Sequence, residues 1–334
     1  IRDRLIRRLG YDRACRLERL AGGRNNRVYR IEIAGQRDPL VLKSYFYSPE
    51  DRRDRLGAEW AFSTFAWARG VRSMPEPLVC DGEARAALFR FVPGERPLPG
   101  TIAAGDVGQA LALLREVNRC RNAAALLPTA SEACFSLAEH VATIERRLAR
   151  LLALDDEAPL AAAVRAFAAD EVAPLFRALV ARLRRSVEAH GIAADHVLAP
   201  SERCLSPSDF GFHNALRDDL GTVRFLDFEY AGWDDPAKLV GDFFNQVAVP
   251  VPEEHYAPFT EGLIEALELG PAERLRFDLF RRLYAVKWAV ILLNEFCRSD
   301  RARRAYAAAA VEEPGLAGQL ALARRKLRSL DDWL

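Results

Sequence analysis

With 334 residues the chain is long enough for one large domain or two lobes, and a composition 50% hydrophobic and 28% charged is that of a globular protein. A formal net charge of +1 leaves no basic excess to neutralise phosphates, so no nucleic-acid partner is expected. The six cysteines are scattered with no CxxC pair, unlike a small secreted disulfide scaffold or a zinc site, and read as reduced thiols of a cytoplasmic protein. The chain opens on charges at Ile1 to Arg4 with no apolar segment behind them, so no signal peptide is expected. The most apolar stretch, Leu283 to Phe296, is too short to span a bilayer and carries Lys287; it reads as a buried helix, and no membrane association is expected.

The first ninety residues read as strands with one long helix. A short strand from Cys15 to Leu20 ends at Gly22-Gly23. In Arg27 to Ala34, Val28, Arg30 and Glu32 alternate with Tyr29, Ile31 and Ile33, the pattern of a half-buried strand. A third strand, Leu40 to Phe46, follows a turn at Gly35 to Pro39. Ser48 as N-cap and Pro49 at the first helical position predict a helix running to about Arg69, stopped by Gly70. Strands follow at Pro77 to Cys80 and Ala86 to Val92, and Pro93 to Pro97 breaks the pattern. Helical segments are then expected over 103–119, 131–154 and 159–190, a strand-rich island over 203–229, and helices from about Pro236 onward. The layout is a small strand-rich lobe (1–92), a Pro/Gly hinge (93–97) and a larger helical lobe (98–334) carrying an embedded hairpin.

Lysine is rare in this chain, at Lys43, Lys238, Lys287 and Lys326. Lys43 sits in an apolar strand, where it reads as an edge residue reaching solvent or as a phosphate ligand. Two neighbours favour the second reading. Upstream, Gly22, Gly23, Asn25 and Asn26 join two strands in a turn whose backbone N–H groups can approach a polyphosphate. Downstream, Glu59 lies mid-helix among Ala58, Trp60, Ala61 and Phe62, where an acid near a buried face needs a cation. Further on, "SPSDFGFHNAL" puts Asp209 and Asn214 in one loop, and Asp227 ends the strand Val223 to Leu226. A hairpin turning at Asp218 to Gly221 can bring Asn214 and Asp227 together. Asn and Asp supply hard oxygen ligands suited to Mg²⁺, leaving Asp209 to accept a proton from an attacking hydroxyl.

The order of glycine hairpin, strand lysine, helix glutamate, hinge, Asp-x4-Asn loop and strand-end aspartate resembles the aminoglycoside phosphotransferase and choline-kinase-like small-molecule kinases. The likeness covers roughly residues 15 to 250. It implies an α+β, bilobal protein-kinase-like fold, with an antiparallel-sheet N-lobe carrying one helix and a mainly helical C-lobe. It also implies an ATP- and Mg²⁺-dependent enzyme that moves the γ-phosphate to a hydroxyl of a small molecule. In that scheme Lys43 contacts the α/β-phosphates and pairs with Glu59, backbone groups of Arg90, Phe91 and Val92 meet adenine, Asp209 is the catalytic base, and Asn214 and Asp227 hold Mg²⁺.

Departures from the family pattern are Pro207 where a histidine is usual, Ser208 where glycine is common, and Leu239 in place of an aspartate that Asp242 follows one turn later. His213 reads as structural or solvent-facing. Asn294 and Glu295 interrupt an apolar helix and could face an acceptor. The largely basic segment from Arg281 to Arg304 suits a neutral or anionic acceptor better than a polycationic one. The alternative is a non-catalytic, kinase-like nucleotide-binding protein, for which Pro207 is the main support. The oligomeric state is not legible.

Overall fold

A computed structural model describes residues 1–12, 15–20, 25–49, 51, 53–155, 158–191, 196–297, 306–307 and 315–330. Five strands, β1 (Cys15–Arg19), β2 (Arg27–Ile33), β3 (Leu40–Ser44), β4 (Pro77–Asp81) and β5 (Ala86–Arg90), form one sheet in the order β1-β2-β3-β5-β4. All of its pairings are antiparallel. Period-two alternation divides its side chains between two faces. Ile31, Ile33, Leu40, Leu42, Leu88 and partly buried Tyr29 turn to one face and pack with Leu5 and Ile6 of α1 (Arg2–Arg8). Tyr45, Ala87 and Phe89 turn to the other and pack with Leu56 of α2 (Arg55–Ala68). Lys43 shares this second face, two residues from Tyr45.

Helix α1 was not expected, because "RDRLIRR" offers only two apolar residues among charges. A helix of seven residues is marginal alone. Burial of Leu5 and Ile6, each worth about 1.5–3 kcal/mol, holds it on the sheet. The start of α2 also differs from the expected Ser48-Pro49 cap. The N–H of Tyr45 still pairs with the Arg85 carbonyl (2.9 Å), and the N–H of Phe46 donates to Asn26 Oδ1 (3.1 Å), so the chain leaves β3 extended. Asp54 caps the helix instead, accepting from the Gly57 N–H at 2.9 Å.

Contacts divide the chain into two compact units. The first comprises Ile1–Ser131, Leu205–Trp233 and Ala302–Val311, the second Glu132–Cys204, Asp234–Arg301 and Glu312–Leu334. Besides the sheet, the first unit holds α3 (Ala104–Asn118) and the hairpin of β7 (Ala215–Arg217) and β8 (Val223–Phe225), with β6 (Cys204–Ser206) leading toward that hairpin. Gln109 of α3 pins the hairpin, donating to the Gly221 carbonyl (3.0 Å) and accepting from the Val223 N–H (2.8 Å). Gly94, within the expected hinge, takes φ +129°, and a Cβ there would meet the Arg217 carbonyl oxygen at 2.8 Å, so glycine is required. Next to it, Glu95 and Arg217 exchange both backbone hydrogen bonds.

The second unit is helical. It contains α4 (Leu137–Leu152), α5 (Ala161–Ala166), a π-helical turn (Phe167–Val172), α6 (Ala173–Ala189), α7 (Pro236–Asn245), α8 (Tyr256–Leu267), α9 (Ala272–Ile291) and α10 (Leu316–Arg328). Ser136 accepts from the Glu139 N–H (3.3 Å) and so starts α4 later than the expected residue 131. The core of this unit is α9, buried along most of its length and packed against α4, α6, α7, α8 and α10. Gly241 of α7 allows the closest approach: a Cβ would sit 2.6 Å from Tyr284 Cγ of α9. Among the described residues no helix is long and apolar enough to cross a membrane.

Candidate active site

In the first unit β3 delivers Lys43, nearly buried, to the face that packs on α2. Because α2 begins at Arg55, Glu59 falls in its second turn, and Lys43 Nζ donates to Glu59 Oε2 at 2.6 Å. The Tyr45 hydroxyl donates to the same oxygen at 2.8 Å, and the Phe228 N–H to Oε1 at 3.4 Å. Lys43 Nζ also donates to Asp227 Oδ1. Burial by itself would lower the Lys43 pKa, but Asp227, Glu59 and Glu229 hold it far above the lysine range. Burial raises Glu59 above the usual carboxylate range against the pull of Lys43.

Glu229 is a site residue that sequence reasoning missed. Its carboxylate is buried and accepts Asn25 Nδ2 on Oε1 (2.6 Å) and Asn26 Nδ2 on Oε2. Asn25 also donates to the Tyr230 hydroxyl at 3.0 Å. The two asparagines of the turn between β1 and β2 are thus tied to the segment just after Asp227. Burial, and then the charge of Asp227, push Glu229 up to about 7. Arg55, also missed, is buried with Nε 3.9 Å from Glu229 and Nη2 2.5 Å from Asp51. The signal was the second acid of "DFEY", flanked by aromatics that exclude water. Gly22 and Gly23 lie outside the described residues.

The expected hairpin forms with Ala215 opposite Phe225. The Leu226 N–H then donates to the Asn214 carbonyl (2.8 Å), which puts Asp227 beside Asn214 along the chain direction. Asp227 takes φ +67°, a left-handed conformation that aspartate tolerates better than most side chains. Asn214 Nδ2 donates to the Asp209 carbonyl at 3.0 Å, which orients the amide so that its oxygen remains for a cation. Hydrogen bonds thus join Lys43 to Glu59 and Asp227, and Asn214 to Asp209, and the backbone bond of Leu226 to Asn214 brings the two sets into one hairpin.

The loop carrying Asp209 is held by groups that sequence reasoning did not single out. Buried Asn118, at the end of α3, accepts the Leu205 N–H (2.7 Å) and donates to the Leu205 carbonyl (3.0 Å) and the Leu114 carbonyl (2.9 Å). Ser206 Oγ accepts the Ser208 N–H (3.0 Å), and the Asp209 N–H closes a tight turn on the Pro207 carbonyl (3.0 Å). His213 is not simply structural or solvent-facing: its Nε2 lies 3.2 Å from Asp209 Oδ1. At the expected hinge, the Arg90 and Phe91 N–H groups are committed to the carbonyls of Glu76 (2.9 Å) and Pro39 (3.2 Å), so Val92 and the local carbonyls carry any contact to a base.

The donor set fits a hard divalent cation. Glu59, Asp227 and Glu229 outnumber the Lys43 ammonium, and Asp227 and Asn214 supply oxygens. Among the described residues no group of three or more His, Cys, Asp or Glu could hold a metal ion unaided. Two protein oxygens completed by phosphate and water suit Mg²⁺.

In the second unit the Asp242 carboxylate takes Lys287 Nζ (3.0 Å to each oxygen) and Trp288 Nε1 (2.9 Å). Asn294 Oδ1 takes Arg147 and Arg150 at 3.4 Å each, and Glu295 accepts Gln319 Nε2 at 2.9 Å.

A buried lysine–glutamate pair between a strand and a helix, with a strand-end aspartate on the same lysine, is the arrangement that the kinase-like resemblance implied. The chain belongs to the phosphotransferase enzyme family APH, whose profile matches residues 16–277. It is therefore an enzyme of the phosphotransferase class, as its sequence resemblance implied. Similar solved structures include choline kinase LicA from Streptococcus pneumoniae, at TM-score 0.59 and 13% identity over 98% of this chain and 97% of that one. Spectinomycin phosphotransferase APH(9)-Ia, in complex with ADP and spectinomycin, matches at TM-score 0.57 and 12% identity over 97% and 98%. Macrolide 2'-phosphotransferase MphH from Brachybacterium faecium matches at TM-score 0.57 and 16% identity over 93% and 98%. At these identities the likeness is one of fold. No curated protein sequence matches the chain.

Proposed function

We propose that the chain transfers the γ-phosphate of Mg·ATP to a hydroxyl of a small molecule. The observation that carries this reading is Lys43 bonded to both Glu59 and Asp227, with the hairpin bond from the Leu226 N–H to the Asn214 carbonyl setting Asp227 next to the Asn214–Asp209 loop. Lys43 binds phosphate oxygens while Glu59 holds its ammonium in place. Asn25 and Asn26, tied to Glu229, fix the turn that covers the phosphates. Asn214 and Asp227 hold Mg²⁺, which when bound neutralises charge on the phosphate oxygens. Asp209 orients the acceptor hydroxyl and takes its proton. Phosphoryl transfer asks a protein mainly for positioning and charge compensation, which this small polar set supplies. Structures similar in fold hold ADP, AMP or AMP-PNP, which supports a nucleotide as donor. The free cysteines support a cytoplasmic setting.

For the acceptor we favour a sugar, sugar acid or amino alcohol over a polycation. A coupled ADP-release screen across sugars, amino alcohols and aminoglycosides tests this choice, and aminoglycosides emerging as the best substrates would refute it. Asp209→Asn should lower turnover by about 10²–10⁴-fold with nucleotide binding retained. An unchanged rate removes Asp209 from the mechanism. Mg·ATP binding with no transfer to any acceptor would instead favour a non-catalytic nucleotide-binding protein.

A further inference from the structure

The residue two positions before Asp209 is Pro207, which has no side-chain donor to offer the loop. A histidine approaches the same aspartate from the other side. The turn Phe212–Asn214 carries His213, and its Nε2 stands 3.2 Å from Asp209 Oδ1. Its Nδ1 is buried and has no hydrogen-bond partner among the described residues. The two ring nitrogens therefore meet opposite surroundings.

That asymmetry selects a tautomer. A neutral imidazole carries one N–H and one lone pair. With the proton on Nε2, the ring donates to the carboxylate and leaves a bare acceptor at Nδ1. With the proton on Nδ1, a donor would be buried unpaired while a lone pair faced a carboxylate oxygen. Orphaned buried donors are rarer than under-used acceptors, and each costs its full desolvation. Asn214, the next residue, donates to the Asp209 carbonyl at 3.0 Å. Consecutive side chains of one turn thus hold the backbone and the carboxylate of Asp209.

We propose that His213 is the positioning residue for Asp209: its Nε2–H fixes the rotation of the carboxylate and so presents the proton-accepting oxygen in one orientation. This rests on the reading of Asp209 as the group that takes the acceptor proton. It assigns to His213 the orienting of the aspartate, a task that Pro207 cannot perform.

The test has two arms, both on the full chain. In the first, histidine is labelled with ¹⁵N and the ring nitrogens of His213 are assigned by comparison with His213→Gln. The expected result, at a pH where the ring is neutral, is protonated Nε2 and bare Nδ1, with the Nε2 signal displaced in Asp209→Asn. The opposite tautomer, or no response to Asp209→Asn, overturns the proposal. In the second, ADP release from Mg·ATP is followed with water as acceptor. His213→Ala should lower kcat on the order of 10- to 100-fold. The KM for Mg·ATP should stay within about twofold of wild type, and His213→Gln, whose amide can donate, should recover most of the loss. An unchanged kcat in His213→Ala, no recovery in His213→Gln, or a loss that tracks nucleotide affinity and thermal stability overturns it. A wild-type chain with the expected tautomer and no ADP release with water or with any acceptor of the screen overturns the reading of Asp209 itself. One that releases ADP with the opposite tautomer overturns this proposal alone.

Discussion

Replacing Lys43 with methionine removes a charge from a nearly closed cluster while keeping most of the stem's volume. The lysine is 7% exposed and serves both Glu59 and Asp227. Without it, Glu59, Asp227 and Glu229 face one another with the Arg55 guanidinium, 3.9 Å from Glu229, left to offset them. Removing one partner of a buried ion pair costs about 3–5 kcal/mol, because the other charge stays behind. The sign with pH follows from the carboxylates. Burial already raises Glu59, and burial with the Asp227 charge raises Glu229 to about 7. Loss of Lys43 raises both further. A carboxyl whose pKa is higher folded than unfolded destabilises the fold above its folded pKa and costs nothing once both states are protonated. The deficit of Lys43→Met should therefore be largest at pH 8, about 3–5 kcal/mol, and shrink to roughly 1 kcal/mol by pH 5 as the cluster takes up protons. Urea unfolding of both proteins at pH 5, 6.5 and 8 measures this. A deficit below about 1 kcal/mol at pH 8, the range of exposed pairs, or one that ignores pH, would make Lys43 a solvent-reaching edge lysine and dissolve the cluster argument.

Three further outcomes are expected. Asn118→Ala strands a buried N–H and carbonyl at Leu205, the entry to the Asp209 loop, and should cost about 2–4 kcal/mol together with a drop in kcat; an unchanged urea midpoint would show the amide to be dispensable. Gly241→Ala forces a methyl against Tyr284, a clash of about 1–3 kcal/mol only partly offset by the helix propensity of alanine; a raised melting temperature would contradict the close packing of α7 on α9. Burial would lower the His140 pKa, but its bond to Asp235 (3.0 Å) carries it up to about 9, so its contribution is complete below about pH 6.5 and is lost as pH rises through 9. The stability gap between wild type and His140→Gln should fall by on the order of 3 kcal/mol across that window, and a constant gap in urea titrations would refute the charged pair.

What the sequence disclosed follows from range. Alternation in β2 sorted Tyr29, Ile31 and Ile33 onto one face, and the structure packs that set together. Asn214 and Asp227 were expected to meet because a short hairpin leaves little freedom to residues flanking its strands. The misses involve partners far apart in the chain. Asn118 serves a strand 87 positions away, and Asn25 bonds Glu229 at a separation of 204; no local period encodes either. The start of α2 was missed for a different reason. Ser48-Pro49 has good capping chemistry, but pairing of Tyr45 and Phe46 with Arg85 and Asn26 overrides it.

The same distinction clarifies the Asp209 loop. A loop histidine can do two things, shape the backbone and steer a carboxylate, and here the two are separated. Backbone shape comes from Asn118, from Ser206 Oγ on the Ser208 N–H, and from Ser208 Oγ, 3.4 Å from the Ser131 carbonyl. Ser208 sits at φ +66°, a left-handed conformation that costs a residue with a Cβ roughly 1–2 kcal/mol. Its hydrogen bonds offset that cost, and a glycine there would form only the backbone one. Proline at 207 donates nothing but restricts the chain entering the turn. Steering of the carboxylate is left to the other end of the loop, where His213 and Asn214 stand side by side. Loss of a histidine at position 207 is therefore no evidence that the site is catalytically dead. The geometry moves the question from whether Asp209 is held to which side of the loop holds it.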